Sequence, residues 1–234
     1  MRTELPSQHG EQPLMKNILA NVSPYRALDT GSLDQLVECS LPLRLHGQKE
    51  VIRQGEPAKG VYVVIYGQVK LYVGNRQGPH KVLAILGHDS CFGLAETFLD
   101  KPLGASVETT CDAMIVFTPK EKVMELARKN AAFFEQLMTC AARQTHSLIL
   151  DVQRQSSSSA PQRLAGFLLR QCEHQSSRDI ELSVSKTVIA SHLDITSETF
   201  SRLLKRFTAQ GMIEVHGRHI KVLDSAKMQT LQPS

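Results

Sequence analysis

Between residues 41 and 117 the apolar residues come in short β-branched or aromatic runs, at 61–65, 69–73, 81–86 and 113–117. Glycines at 55, 60, 67, 74, 78, 87, 93 and 104 punctuate them. Short strands at regular spacing with glycine turns predict a small antiparallel barrel or roll. After residue 117 the apolar period changes from two to between three and four, which is the period of a helix. An antiparallel β unit followed by a helical unit is an α+β chain, and 234 residues suffice for two cores of ordinary size.

The flanking segments complete the organisation. Residues 1–24 are polar, with proline at 6, 13 and 24, and read as a flexible arm. A short helix is expected at 32–39, another at 120–129 and a long one at 131–155. In the long helix Phe134, Leu137, Ala141, Gln144, Leu148 and Asp151 recur three and four residues apart. That is a heptad seam, suited to packing on the roll or to pairing with a twin helix in a homodimer. Ser156 to Ser159 is a low-complexity break that marks the hinge. The expected domains are therefore an arm at 1–24, a β-roll sensor at 25–130, a dimerisation helix at 131–155 and a DNA-binding domain at 156–234.

Beyond the hinge, a helix is expected at 161–171, a strand at 180–184, two helices, and a hairpin around His216 and Gly217. Ser185 is a candidate N-cap, Asp194 tolerates the left-handed geometry of a tight turn, and Ala190 is small enough to let two helices cross closely. On the second helix Phe200, Leu203, Leu204 and Phe207 form the buried face. Glu198, Ser201, Arg202 and Lys205, with Ser197 at the start, lie on the opposite face. Arginine donates two hydrogen bonds to guanine, and glutamate accepts from a cytosine amino group. Glu198 and Arg202, at i and i+4, are also spaced to orient each other. From 186 to 221 the basic residues are Lys186, Arg202, Lys205, Arg206, Arg218 and Lys221, against Asp194, Glu198 and Glu214. That local excess suits phosphate contact, so the pattern predicts a winged helix-turn-helix that reads double-stranded DNA.

The segments 52–58 (IRQGEPA), 61–72 (VYVVIYGQVKLY), 92–102 (FGLAETFLDKP) and 196–207 (TSETFSRLLKRF) carry a resemblance to the Crp/Fnr family of bacterial regulators over roughly residues 35–225. The resemblance implies a cyclic-nucleotide-binding-type β-roll, a dimerisation helix and a winged helix on two-fold symmetric operators, with RNA polymerase as a partner if the protein is an activator. The recognition helix is most similar to the Fnr and Dnr branches, because it keeps Glu198, Ser201 and Arg202, and Ser197 stands where the cyclic-AMP receptor has an arginine. TTGAT-like half-sites are the implied target.

The effector is narrowed by exclusion. The positions matching the nucleotide binders' phosphate cassette are Gly93-Leu94 and Leu103-Gly104, and no arginine occurs between Arg76 and Arg128. A buried phosphate would lack its charge partner, so cyclic AMP is not expected. Residues 1–38 hold no cysteine, so the family's N-terminal iron–sulfur cluster is not expected either. The Dnr branch implies haem and a diatomic gas such as nitric oxide, with His46, His80, His88, Cys91, Leu94 and Leu103 as the candidate pocket. Another small ligand or cysteine redox state is the alternative input. No nucleophile elbow, P-loop, dinucleotide fingerprint or metal-ligand spacing is present, so no enzyme is expected. A ligand-binding module without DNA output would leave the helix-turn-helix idle. Five scattered cysteines and no signal peptide or bilayer-length apolar run point to a cytoplasmic protein with no membrane partner.

Overall fold

The computed structural model describes residues 12–74 and 80–231. By contacts the chain divides into two units, one of residues 1–71 and 86–145, the other of residues 72–85 and 146–234.

The first unit opens with α1 (Gln12–Leu19), a 3-10 turn at Tyr25–Ala27 and α2 (Thr30–Cys39). Met15, Leu19, Val22 and Tyr25 are buried. The expectation of a flexible arm thus fails from residue 12 onward, because this stretch has an apolar face and the roll has a place for it; residues 1–11 lie outside the described residues. The strands are β1 (Leu41–Leu45), β2 (Glu50–Ile52), β3 (Gly60–Tyr66), β4 (Val69–Gly74), β5 (His80–Leu86) and β6 (Cys91–Phe92). After α3 (Leu94–Leu99) come β7 (Ser106–Thr109) and β8 (Ala113–Pro119), then α4 (Lys120–Lys129) and α5 (Ala131–Ser157). Two four-stranded sheets result, in the orders β1-β8-β3-β6 and β2-β7-β4-β5.

Strand β3 shows why the roll has two cores. Side chains alternate across a strand. Val61, Val63 and Ile65 therefore join the cluster that holds α1, α2, α4 and α5, while Tyr62 and Val64 enter the cluster inside the roll. Tyr62 stacks on Phe92 at 4.9 Å. Gly60 is required for the close approach of β3 and β8: a Cβ there would lie 2.1 Å from the Thr118 carbonyl oxygen. Tyr25 Oη and Ser40 Oγ meet Thr118 Oγ1 at 2.8 and 3.0 Å, which satisfies three buried hydroxyls together.

On α5 the faces differ from the expected seam. Phe133, Leu137 and Cys140 are buried against the roll of their own chain, and Gln144 bonds to Cys91. Leu137 is wholly buried and has no surface left for a twin, so its place in the predicted dimer seam is corrected. Ala141 is half-buried and packs against the same core. Phe134 and Leu148 are exposed, and Met138, Ala142, Thr145, Ile149 and Val152 extend that exposed stripe at spacings of three and four. The exposed stripe runs about one position later than the sequence pattern placed the seam, because the roll claims the other apolar face.

The second unit contains α6 (Ala160–Gln175), β9 (Asp179–Glu181), α7 (Lys186–His192), α8 (Ser197–Ala209), β10 (Ile213–His216), β11 (His219–Val222) and α9 (Ser225–Gln229). The serine run breaks the helix later than expected: α5 continues to Ser157, and Ser159 with Gln162 forms a capping box for α6. The sheet order is β10-β11-β9, so the predicted hairpin gains a third strand. Residues 72–85, which sequence placed wholly in the sensor, cluster with this unit. Tyr72 and Val82 lie in the same core as Leu164, Ile189 and Phe200.

Candidate nucleic-acid interface

Helices α7 and α8 are set by their caps and by the turn between them. The Ser185 hydroxyl accepts from the Val188 amide at 3.3 Å, and the Thr196 hydroxyl accepts from the Thr199 amide at 3.2 Å. Each satisfies a backbone donor that the first helical turn leaves open. Asp194 adopts the left-handed conformation, φ 56°, that reverses the chain between the helices. Ala190 is buried, as its small size predicted, and its carbonyl accepts from the Ile195 amide at 3.0 Å.

Two supports of this turn carried no sequence signal. Arg163 on α6 donates from Nε to the Leu193 carbonyl at 2.8 Å and from Nη2 to the Asp194 carbonyl at 3.3 Å. It occupies the acceptors that the end of α7 exposes. Ser191 is held by the β4–β5 hairpin: its hydroxyl accepts from the Val82 amide at 3.0 Å and donates to the His80 carbonyl at 3.1 Å. Lys81 Nζ stands 3.2 Å from Asp194 Oδ1. A fixed arginine and a strand edge separated by 30 to 111 residues from their partners cannot be recognised by local spacing.

Phe200, Leu203, Leu204 and Phe207 are buried, so the opposite face of α8 is fixed toward solvent. Glu198, Ser201, Arg202 and Lys205 are exposed and Ser197 is half-exposed. Among the described residues no ion pair joins Glu198 to Arg202, so the mutual orientation expected from their i, i+4 spacing is not formed. Neither head is tied up by the other. The Glu198 carboxyl is held below its ordinary range, first by its own backbone N–H at the helix start and then by the Thr196 hydroxyl. It is an ionised acceptor, as pairing with an amino group requires. Lys186, Ser201, Lys205 and Val215 line one open groove between α8 and the hairpin. Arg218 and Lys221 are exposed on the hairpin, where Arg218 Nε also bonds the Leu182 carbonyl at 2.9 Å. A helix with a polar face beside cationic side chains can enter a major groove with phosphates on either side.

The candidate effector residues do not converge. His46 is exposed and pairs with Asp112 at 3.2 Å. His88 bonds through Nδ1 to the Ile65 carbonyl at 2.7 Å, and His80 lies edge-on to Tyr72 in the hairpin. Cys91 and Leu94 lie in one core cluster and Leu103 in the other. A haem needs an axial ligand over an apolar slot, and these six residues do not line one place, so they do not fit the group. Among the described residues no cluster of three histidine, cysteine or acidic side chains could hold a metal ion. In the segment matching the phosphate cassette, the Glu96 carboxylate lies 3.4 Å from the Gly104 amide, and Leu94 and Leu103 are buried. Among the described residues no helix is long and apolar enough to cross a membrane.

A family model of a Crp-like helix-turn-helix domain matches residues 162–231, and a model of a cyclic nucleotide-binding domain matches residues 42–130. The chain is 26% identical over 210 residues to the fumarate and nitrate reduction regulatory protein of Vibrio cholerae, covering 85% of this chain and 80% of that protein. It is 27% identical over 213 residues to the transcriptional activator protein anr of Pseudomonas aeruginosa, covering 87% and 84%. Among solved structures, FixK2 from Bradyrhizobium japonicum matches with a TM-score of 0.76 and 21% identity, over 83% of this chain and 98% of that one. At that identity the likeness is one of fold.

Proposed function

Because the chain belongs to the Crp/Fnr family of DNA-binding transcriptional regulators, we propose that it acts in the cytoplasm as a homodimer on a two-fold symmetric operator with TTGAT-like half-sites. The observation that carries this reading is the face of α8. Glu198, Ser201 and Arg202 are exposed beside one another while four apolar residues anchor the opposite side. Arg202 donates to the guanine of the half-site, Glu198 accepts from the paired cytosine, and Ser201 adds one hydroxyl contact. Lys186, Lys205 and Lys221 meet phosphates and fix the register.

The dimer forms along α5. The stripe of Phe134, Met138, Ile149 and Val152 is apolar and exposed in the single chain, and its spacing suits a left-handed pair of helices. Two helix-turn-helix units held by such a pair meet two half-sites about one helical turn of DNA apart. The input is a small effector or a redox signal received in the roll. A haem-bound gas such as nitric oxide is disfavoured, because His46, His80 and His88 offer no converging ligand set; haemin titration is expected to leave the Soret band as it is for free haemin.

Fluorescence anisotropy tests the output. A duplex with two TTGAT-like half-sites is expected to bind at least about a thousandfold more tightly than a scrambled duplex. Log affinity is expected to fall linearly with log salt, by about 0.9 per phosphate neutralised. Equal affinity for the two duplexes at every salt concentration refutes the reading.

A further inference from the structure

Cys91 and Cys140 are the chemically reactive pair that DNA binding leaves unused. Cys91 lies on β6 opposite Val63, Cys140 lies on α5, and both belong to one buried cluster. They are 3% and 7% exposed. Gln144, one turn beyond Cys140, donates from Nε2 to the Cys91 carbonyl and stands 3.7 Å from the Cys91 sulfur. The Ser23 hydroxyl is 3.4 Å from the Cys140 sulfur. Cys140 and Gln144, one turn apart on α5, thus lie over Cys91 of β6 in one buried cluster, while Cys39 is exposed and Cys111 and Cys172 are half-buried elsewhere.

The two sulfurs are not equivalent. Cys140 is brought down to about 6, first because the Cys91 thiol donates to it; Ser23 and Arg143 act in the same direction, against burial and Asp89. Cys91 is pushed up by the same donation and by burial. The Tyr25 phenol beside both is pushed up by burial and stays neutral. Cys140 is thus the more acidic of the two thiols and Cys91 holds its proton more tightly, which is the division of labour between an attacking and a resolving thiol.

We propose that Cys91 and Cys140 form a modification site, a thiol pair that hydrogen peroxide or an alkyl hydroperoxide oxidises to an intrachain disulfide tying β6 to α5. The Cys140 sulfur attacks one peroxide oxygen with its electron pair and the O–O bond breaks. The departing oxygen takes a proton from solvent and leaves as water or alcohol, and Cys140 becomes a sulfenic acid. The Cys91 sulfur then displaces the hydroxyl: the S–S bond forms, the S–O bond breaks, and the Cys91 thiol proton leaves with the hydroxyl as water. Two electrons pass from the two sulfurs to the peroxide. The site stands by itself; only its consequence for operator binding rests on the DNA-regulator reading, since α5 carries both the apolar stripe and the connection to α6.

The reduced full-length chain is treated with equimolar hydrogen peroxide at neutral pH, blocked with iodoacetamide and mapped by non-reducing peptide mass spectrometry. A linked peptide pair containing Cys91 and Cys140 is expected, with loss of two of the five thiols and full reversal by dithiothreitol. Cys91→Ser is expected to stop at a Cys140 sulfenic acid that dimedone traps, and Cys140→Ser to leave Cys91 unreacted. Oxidation of Cys39 or Cys111 with the pair still reduced overturns the proposal, as does equal peroxide consumption by Cys140→Ser and the unmodified chain. If a variant fails to fold by circular dichroism, the map of the unmodified chain decides. Operator affinity is measured for the reduced and oxidised chain in parallel. A linked pair with unchanged affinity overturns the regulatory consequence, whereas a reduced chain that binds no operator overturns the DNA reading instead.

Discussion

Replacing Ser191 with alanine removes one oxygen atom and is expected to loosen the β4–β5 hairpin. Strand β5 is at the edge of its sheet, and the Ser191 hydroxyl satisfies two of its backbone groups, the Val82 amide at 3.0 Å and the His80 carbonyl at 3.1 Å. Val82 is fully buried, so without the hydroxyl its N–H is left away from water. An unsatisfied buried backbone group is disfavoured by about 1–3 kcal/mol. Alanine offsets about 0.5 kcal/mol of this through its higher helix propensity in α7. The neighbouring Lys81–Asp194 ion pair is 41% and 55% exposed and is worth at most about 1 kcal/mol, because solvent screens it. The hydrogen bonds therefore outweigh the ion pair. Amide hydrogen exchange reads this directly: Ser191→Ala should speed exchange at Val82 by roughly 2- to 70-fold, from the net of about 0.5–2.5 kcal/mol. Asp194→Asn, which keeps a residue tolerant of the left-handed turn, should change it less. Unchanged protection of Val82 in Ser191→Ala, or a larger effect of Asp194→Asn, refutes the reasoning.

Arg202→Ala is expected to weaken binding to TTGAT-like sites by about 1–3 kcal/mol, with little change for scrambled DNA. Thermal unfolding should barely move, because among the described residues Arg202 has no ion pair to lose; equal weakening on both duplexes counts against a base contact. Thr196→Ala removes the cap of α8 and should destabilise the C-terminal unit by about 1 kcal/mol in urea unfolding. Ile149→Glu places a charge in the exposed stripe of α5 and should shift the chain toward monomer in analytical ultracentrifugation, leaving the fold of the single chain intact. The depressed Glu198 carboxyl fixes the sign of a pH effect. Its acceptor role is present above its folded value and is lost only as pH falls through it, so discrimination at the paired cytosine should hold between about pH 8 and 5. A loss of discrimination within that range would remove Glu198 from the contact.

Local chemistry alone determined a good deal of this protein. The apolar runs of β3, β5 and β8, the change to a helical period, the Ser185 cap and the two-faced α8 were legible, because each rests on neighbours within one or two turns of chain. The same holds for the exposed Glu198, Ser201 and Arg202, whose direction is set once four apolar residues are buried behind them. The division of α5 between roll and dimer was not legible. Phe133 and Phe134, or Leu137 and Met138, are equally apolar in sequence, and only the position of Tyr25 and Cys91 decides which one is buried. Residues 12–24 adjoin a polar stretch and share its prolines, yet Met15, Leu19 and Val22 are buried in the cluster outside the roll. The hold of Arg163 and the hairpin on the α7–α8 turn, and the meeting of Cys91 with Cys140, are long-range contacts between side chains ordinary in themselves. Tertiary structure decided them, because their energy depends on distance in space, for which distance along the chain gives no measure.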